Sequence, residues 1–571
     1  MTGHALSGRR IDVFRAAVTL LSLGVAAFIA WPVLAATVDV LTGDLPNQAA
    51  DSSVIGAATS GETLRALGNT LLVVSVAGAL ALVVGGLFAW LNERTNARIG
   101  ALAEIMPLLS LFVPPLASTI GWVLLADPDV GLLNTAIREA VGVIGVTIEK
   151  GPINLYSWYG LILAYTAYLV PFTYLSIVTA FQSLDSTLEE ASSVSGASPL
   201  RTFRKVVLPS MRPALGAALL AITTLGLAMF SIPVIIGTRA GIDILPVKIV
   251  YDVTREFPMD LTSALGRTCL LLVVVGLIWL GQRRLLGGAG QAFATIGGKH
   301  SRVNRVDLGR WRLPARVLLW GYIVVVAVLP ILGLLLISLQ NFWSPSFDVA
   351  RLTFDNYRDL FRTSETRDGL INSVTFAFIG ACAVVALAFL IAHVTELWRG
   401  RTRRLVDGAV KIPIALTHIF VAIALTLTFG GPPFGWAGTS LMIVVAYAVM
   451  YFPQGTFYVN SGVQQVGRGL LEASTISGAT TGATARRVLL PLTAPSLIAG
   501  WGLVFVLMMG DVTASAMLAS SSTPVVGFVM LDAWTSGTYP QLASIGVVMS
   551  LTSTAIVLAA MAVGRRRRID R

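Results

Sequence analysis

The sequence predicts an all-α polytopic membrane protein made of two tandem six-helix halves, with about 12 transmembrane helices. Three observations predict it. Apolar runs long enough to cross hydrocarbon recur along the whole chain, basic clusters fall on one side of them, and one polar segment occurs twice at a fixed offset.

Of the 571 residues, 55% are hydrophobic and 12% charged, with a mean hydropathy of +0.77. A soluble chain carries about 25% charged residues. Apolar runs lie near 14–37, 69–91, 101–125, 158–181, 214–237, 262–281, 316–339, 371–394, 408–430, 438–459, 496–519 and 541–563. The first follows basic residues and ends in Leu34-Ala35-Ala36, as a signal peptide does, but it is too long for an h-region and is read as the first helix.

The net charge of +11 raises the possibility of a nucleic-acid partner, so its location matters. Basic residues gather at Arg9, Arg10 and Arg15, between Arg283 and Arg316, between Arg399 and Arg404, and between Arg565 and Arg568. With twelve spans all four clusters share one side, which the positive-inside rule makes the cytoplasm, with both termini there. Asp39, Asp44, Asp51 and Glu62 lie in the first loop on the opposite side. The charge therefore reads as topology, with no nucleic acid among the expected partners and lipid as the surroundings. Cys269 and Cys382 both fall inside predicted spans and read as small packing residues.

Residues 190–213 read EASSVSGASPLRTFRKVVLPSMRP and residues 472–495 read EASTISGATTGATARRVLLPLTAP, identical at twelve of 24 positions at a gapless offset of 282. Hydropathy repeats in any membrane protein, but a polar loop repeated this closely indicates duplication. A second pair of anchors, Asn69-Thr70 and Asn372-Ser373, is offset by 303, so the first half carries 21 extra residues, placed in 127–157. The expected organisation is a first half over 1–282 with its loop at 184–213, a cytoplasmic linker over 283–314, and a second half over 315–571 with its loop at 466–495.

Both loops fall on the cytoplasmic side, between the fourth and fifth spans of each half. Leu184 to Ser195 lacks Pro and Gly and is expected to be a short helix, ended at Gly196 by a left-handed turn or a close backbone approach. A basic stretch from Leu200 to Val207 follows, and Pro209 and Pro213 are expected at the start of the next span. The product is an elbow across the membrane face, suited to docking in a groove on a partner.

The pattern E-A-(A/S)-x(3)-G-x(9)-(I/V)-x-L-P resembles the signature loop of permease subunits in bacterial ABC importers. It is met by Glu190, Ala191, Ser192, Gly196, Val206, Leu208 and Pro209, and again by Glu472, Ala473, Ser474, Gly478, Val488, Leu490 and Pro491. Ser192 and Ser474, where the second Ala is usual, are the one departure. The resemblance implies the type I importer permease fold in the bacterial inner membrane. It also implies that these residues couple the chain to two copies of an ABC ATPase, which would hold ATP and magnesium, while an external binding protein delivers the solute. Two copies on one chain are similar to fused permeases for iron(III), thiamine, putrescine or phosphonate. Leu531-Asp532-Ala533-Trp534 and Gly546-Val547-Val548 look most like the iron(III) group.

No cofactor or metal site is expected on the chain itself. The nearest approach to a phosphate loop, 294–300, lacks the leading Gly and the Ser/Thr after Lys299. The four histidines His4, His300, His393 and His418 are scattered, and the latter two are read as packing or interfacial residues. Asp511 is the clearest acidic residue inside a span, and its counterpart at the 282 offset is Met229. Because the fifth helix of each half lines the path in the resembled family, Asp511 and Thr513 with Met229 and Ser231 are the path candidates. A structural hydrogen bond by Asp511 is the alternative. An ion-coupled secondary transporter is the competing class, but it would need internal titratable relays and commonly inverted repeats, whereas halves of six spans run parallel. A membrane-embedded enzyme would need a catalytic cluster that is not visible.

Overall fold

The computed structural model describes residues 13–42, 53–99, 113–183, 191–192, 194–256, 259–286, 305–344, 349–397, 417–466 and 468–569. These are helical throughout, apart from short connections and two isolated bridges. In lipid, a helix satisfies its backbone within its own segment, which is why apolar runs of this length take that form.

The first half contains α1 (Val13–Thr42), α2 (Gly61–Arg94), α3 (Pro115–Ala126), α4 (Trp158–Ser183), α5 (Arg212–Leu227), α6 (Ser231–Ala240), α7 (Leu245–Thr254) and α8 (Leu261–Leu286). In the second half, α9 runs from Arg312–Ile323 through a π turn at Val324–Val328 to Leu329–Ser338. It is followed by α10 (Ser364–Leu397), α11 (His418–Phe429), α12 (Ser440–Gln465), α13 (Leu490–Met509), α14 (Thr513–Leu518), α15 (Val526–Ser536) and α16 (Tyr539–Ile569). Among the described residues nine helices are long and apolar enough to cross a membrane, or ten with the bent pair Phe203–Ser210 and Ala214–Leu227 counted as one span. The third and ninth predicted spans keep only the 12-residue helices α3 and α11, since 101–112 and 408–416 lie outside the described residues.

Two expectations are corrected. The second and eighth spans start earlier than their hydropathy suggested, at Gly61 and Ser364, so Asn69 and Asn372 sit two turns inside α2 and α10. The predicted spans 214–237 and 496–519 are not continuous: each is interrupted by three non-helical residues, 228–230 and 510–512. In the first half Pro233 has no N–H to bond to the carbonyl of Met229, so the helix restarts rather than continues. In the second half the Asp511 carboxylate takes the Ala514 N–H at 2.7 Å, and the Ser515 hydroxyl donates to the Asp511 carbonyl at 2.6 Å. Side-chain groups there replace the helical ladder.

Small residues bring the spans together. Ala77, Ala81 and Gly85 recur every fourth position on α2, and a Cβ at Gly85 would overlap the Thr173 hydroxyl of α4. Leu72, Val76, Leu80, Val83 and Leu87 on the same helix face outward, as a lipid-facing stripe does. The halves are joined by exchange of their first helices. Phe28 of α1 stacks on Phe429 of α11 at 5.4 Å, while α9 crosses α3 where Gly333 meets the Gly121 carbonyl. Beyond α8, Val306 bridges back to the end of α2, donating to the Arg94 carbonyl at 2.8 Å.

Candidate coupling elbows and translocation break

Each elbow is built in the same way from the duplicated sequence. Ala197 N–H donates to the Ser192 carbonyl and Ala479 N–H to the Ser474 carbonyl, both at 3.1 Å. Gly196 (φ 75°) and Gly478 (φ 81°) make the left-handed turn between them. A Cβ at either glycine would meet nothing within 4 Å. Backbone conformation, not close approach, is therefore what glycine supplies there. The second arm is a single helical turn, Pro199–Thr202 or Thr481–Thr484.

A π turn follows in both copies, Phe203–Val207 and Ala485–Leu489, closed by Leu208 N–H on Phe203 and Leu490 N–H on Ala485. The proline of each Leu-Pro pair explains it. Its ring would collide with the carbonyl four residues back, and widening the turn by one residue relieves the collision. Leu329-Pro330 follows the π turn of α9 in the same register. Pro213 lies in the first turn of α5, but the second half differs: α13 already begins at Leu490, so Pro491 occupies its first turn and Pro495 its interior.

Ala191, Gly196, Leu208, Ala473, Gly478 and Leu490 are exposed and Pro209 and Pro491 half-buried; Leu208 and Leu490 are both 40% exposed. Glu190 lies outside the described residues, and Glu472 is in the helix Arg468–Ile476. Two features escaped the sequence reading. Val194 and Ile476, themselves 282 residues apart, project at 87% and 86% exposure beside the turn glycines. Ser192 also hydrogen-bonds Thr202 at 2.8 Å and Ser474 hydrogen-bonds Thr484 at 2.9 Å, tying the two arms. The shared departure from Ala is matched in both copies by a threonine ten residues on.

The path candidates cluster at the two breaks, and all four are buried: Met229 and Asp511 within them, Ser231 and Thr513 as the first residues after them. Asp511 Oδ2 accepts from the Tyr451 hydroxyl at 2.7 Å and lies 3.9 Å from His418 Nδ1, while Oδ1 is held by Ala514 N–H. The His418 ring stands edge-on to Tyr451, with centroids 4.9 Å apart. His418 is thus packed, as its scattered position suggested, but against the one acidic group of the region. Both carboxylate oxygens are engaged, so Asp511 in this conformation ties the break to the first turn of α14. The break also faces the other half, since a Cβ at Gly510 would come 3.1 Å from Pro114 Cβ.

Beyond the breaks the halves use one capping device. Leu245 N–H donates to the Thr70 hydroxyl at 2.9 Å and Val526 N–H to the Ser373 hydroxyl at 2.7 Å. Asn69 and Asn372 donate to the carbonyls of Asp243 and Pro524. Among the described residues no group of three or more His, Cys, Asp or Glu side chains is placed to hold a metal.

Residues 81–286 and again 384–568 match the family described as binding-protein-dependent transport system inner membrane component. The ferric transport system permease protein FbpB of Actinobacillus pleuropneumoniae is 24% identical over 89% of this chain and 72% of its own length. A putative ferric transport system permease protein FbpB of Haemophilus influenzae is 24% identical over 87% and 77%. The spermidine/putrescine transport system permease protein PotC of Haemophilus influenzae is 25% identical over 37% of this chain and 81% of its own.

Proposed function

Since the chain belongs to the family of binding-protein-dependent transport system inner membrane components, we propose that both halves of an ATP-driven importer's membrane pore reside on this one chain, with iron(III) as the metal moved. The observation that carries the reading is the pair of like-built elbows, each with a left-handed glycine, a π turn at Leu-Pro and an exposed apolar residue. Each elbow docks one copy of an ATPase subunit, which holds ATP and magnesium and whose closure moves the elbow. An external binding protein delivers the solute to the opposite end. The basic clusters and the elbows lie in the cytoplasm with both termini.

The two breaks, with Met229, Ser231, Asp511 and Thr513, form the wall of the path in a closed state. Iron(III) is supported by two relatives named as ferric permeases, which match 89% and 87% of this chain. The relative named for spermidine/putrescine covers only about one half. Thiamine and phosphonate remain the comparison solutes. The test is uptake into vesicles carrying the chain, its ATPase and its binding protein. ATP-dependent entry of iron(III) is expected. Uptake that persists without ATP but collapses with the ion gradient would replace the reading with an ion-coupled transporter.

A further inference from the structure

At the end of the molecule opposite the elbows, a cavity of about 520 Å³ opens between the halves. Thr238 and Arg239 at the end of α6 and Tyr251 and Arg255 at the end of α7 line one wall; Trp534 of α15 and Tyr539 of α16 line the other. Two guanidinium groups therefore face a space whose lining contains no carboxylate.

The arginines are held, not loose. Arg239 donates through Nη1 to the Tyr156 hydroxyl at 3.0 Å and through Nη2 to the Tyr539 hydroxyl, with its plane 4.7 Å from the Trp534 ring centre. Arg255 lies 4.1 Å over the ring of Tyr251. Stacking and hydroxyl contacts orient a guanidinium without cancelling its charge. Burial pushes the Tyr156 hydroxyl well above its ordinary range, and Asp127 acts in the same direction, so it stays neutral beside Arg239.

The neighbouring cations are treated differently. Lys248 is paired with Glu62 and Asp243, and Arg267 with Asp252 and Glu62. Among the described residues, neither Arg239 nor Arg255 has a carboxylate within ion-pair distance. Lys248 and Arg267 are thus neutralised, and the two arginines that line the cavity are left available.

We infer that this cavity receives the solute in an anionic form, binding a carboxylate or phosphate oxyanion, free or as ligand of the transported metal, between Arg239 and Arg255. A planar, pre-oriented guanidinium matches an oxyanion through paired N–H donors, and the aromatic walls suit an organic one. A bare multivalent cation, thiamine or a polyamine meets like charge there. The inference rests on the importer reading and narrows it to a charge class.

The test is equilibrium dialysis of the full chain in lipid nanodiscs with labelled citrate, inorganic phosphate and putrescine. Citrate or phosphate should be retained and released by added salt, and putrescine should not. Iron(III) citrate displacing free citrate identifies the metal-bound source, and its failure to do so identifies the free oxyanion. Arg239→Gln and Arg255→Gln should each weaken retention about tenfold, as loss of a charge-assisted bond does. Among the described residues Arg255 is seen against Tyr251, one turn back in its own segment, so its variant answers even if Arg239→Gln misfolds. Retention of putrescine, or equal oxyanion retention by wild type and Arg255→Gln, would overturn the inference. Failure of the importer reading appears separately, as absence of ATP-dependent uptake of any solute.

Discussion

The two halves agree at one end of the molecule and part company at the other. Their elbows match up to the π turns: glycine turns at φ 75° and 81°, π turns 282 residues apart, Ser–Thr ties of 2.8 and 2.9 Å, and apolar tips exposed by 87% and 86%. At the breaks the likeness stops. Asp511, Tyr451 and His418 form a buried polar cluster, whereas the counterpart of Asp511 is Met229. Farther out, α7 of the first half carries Lys248 and Asp252 and is followed at once by Arg255, while α15 of the second reads mainly apolar, with Asp532 as its one charge. Two copies of one partner need two equal sockets. A solute passing between the halves meets each wall once and sets no such demand. On the proposed reading, divergence would mark the path and identity the docking sites.

The largest expected effect tests that equality. Val194→Asp and Ile476→Asp each place a charge on an apolar tip that touches nothing in the chain's core. Bringing it into an apolar socket costs a few kcal/mol, so ATPase affinity should fall more than about tenfold per elbow. Titration of ATPase binding on the two single variants should give losses of equal size. An elbow whose tip tolerates Asp would show that the halves dock differently.

A smaller effect belongs to the breaks. Asp511→Leu strands the Tyr451 hydroxyl and the Ala514 N–H and should cost about 2 kcal/mol of stability. Met229→Leu, a swap of similar volume, should cost less than about 1.5 kcal/mol. Asp511→Asn can still accept from Ala514, so thermal melts in detergent should place it near wild type, with uptake retained. Lost uptake with an unchanged melt would mean that the charge itself acts on the solute.

The smallest concerns the turn glycines. With open space around both Cβ positions, Gly196→Ala and Gly478→Ala incur only the left-handed backbone penalty, about 1 kcal/mol, and Asn less. Hydrogen exchange of the elbow amides should rise alike in both Ala variants; a rise in one alone would break the symmetry.

Much of this comparison was legible in the sequence, because duplication writes itself as a fixed offset. Gly196 and Gly478, the Leu-Pro pairs and the twelve apolar runs could all be read that way. The breaks could not be, since hydropathy runs unbroken through 228–230 and 510–512. Only Pro233, and the polarity of Asp511 and Ser515, hinted at them. Tyr451 and His418 were missed as partners of Asp511 because they lie 60 and 93 residues away in sequence, on helices whose facing sides the folded packing decides. Arg239 escaped for a related reason. At a span end an arginine reads as interfacial until Tyr156, Trp534 and Tyr539, drawn from both halves, are seen around it. The Ser–Thr tie could have been found in advance, as the same departure from Ala recurs in both copies with threonine at the same distance.

The central claim is that one chain offers two equivalent docking elbows, and counting its partners tests it most directly. Native mass spectrometry of the assembled complex should show one copy of this chain with two ATPase subunits, and one ATPase after Val194→Asp or Ile476→Asp alone. A complex of one chain with a single ATPase subunit at saturating ATPase would contradict the account.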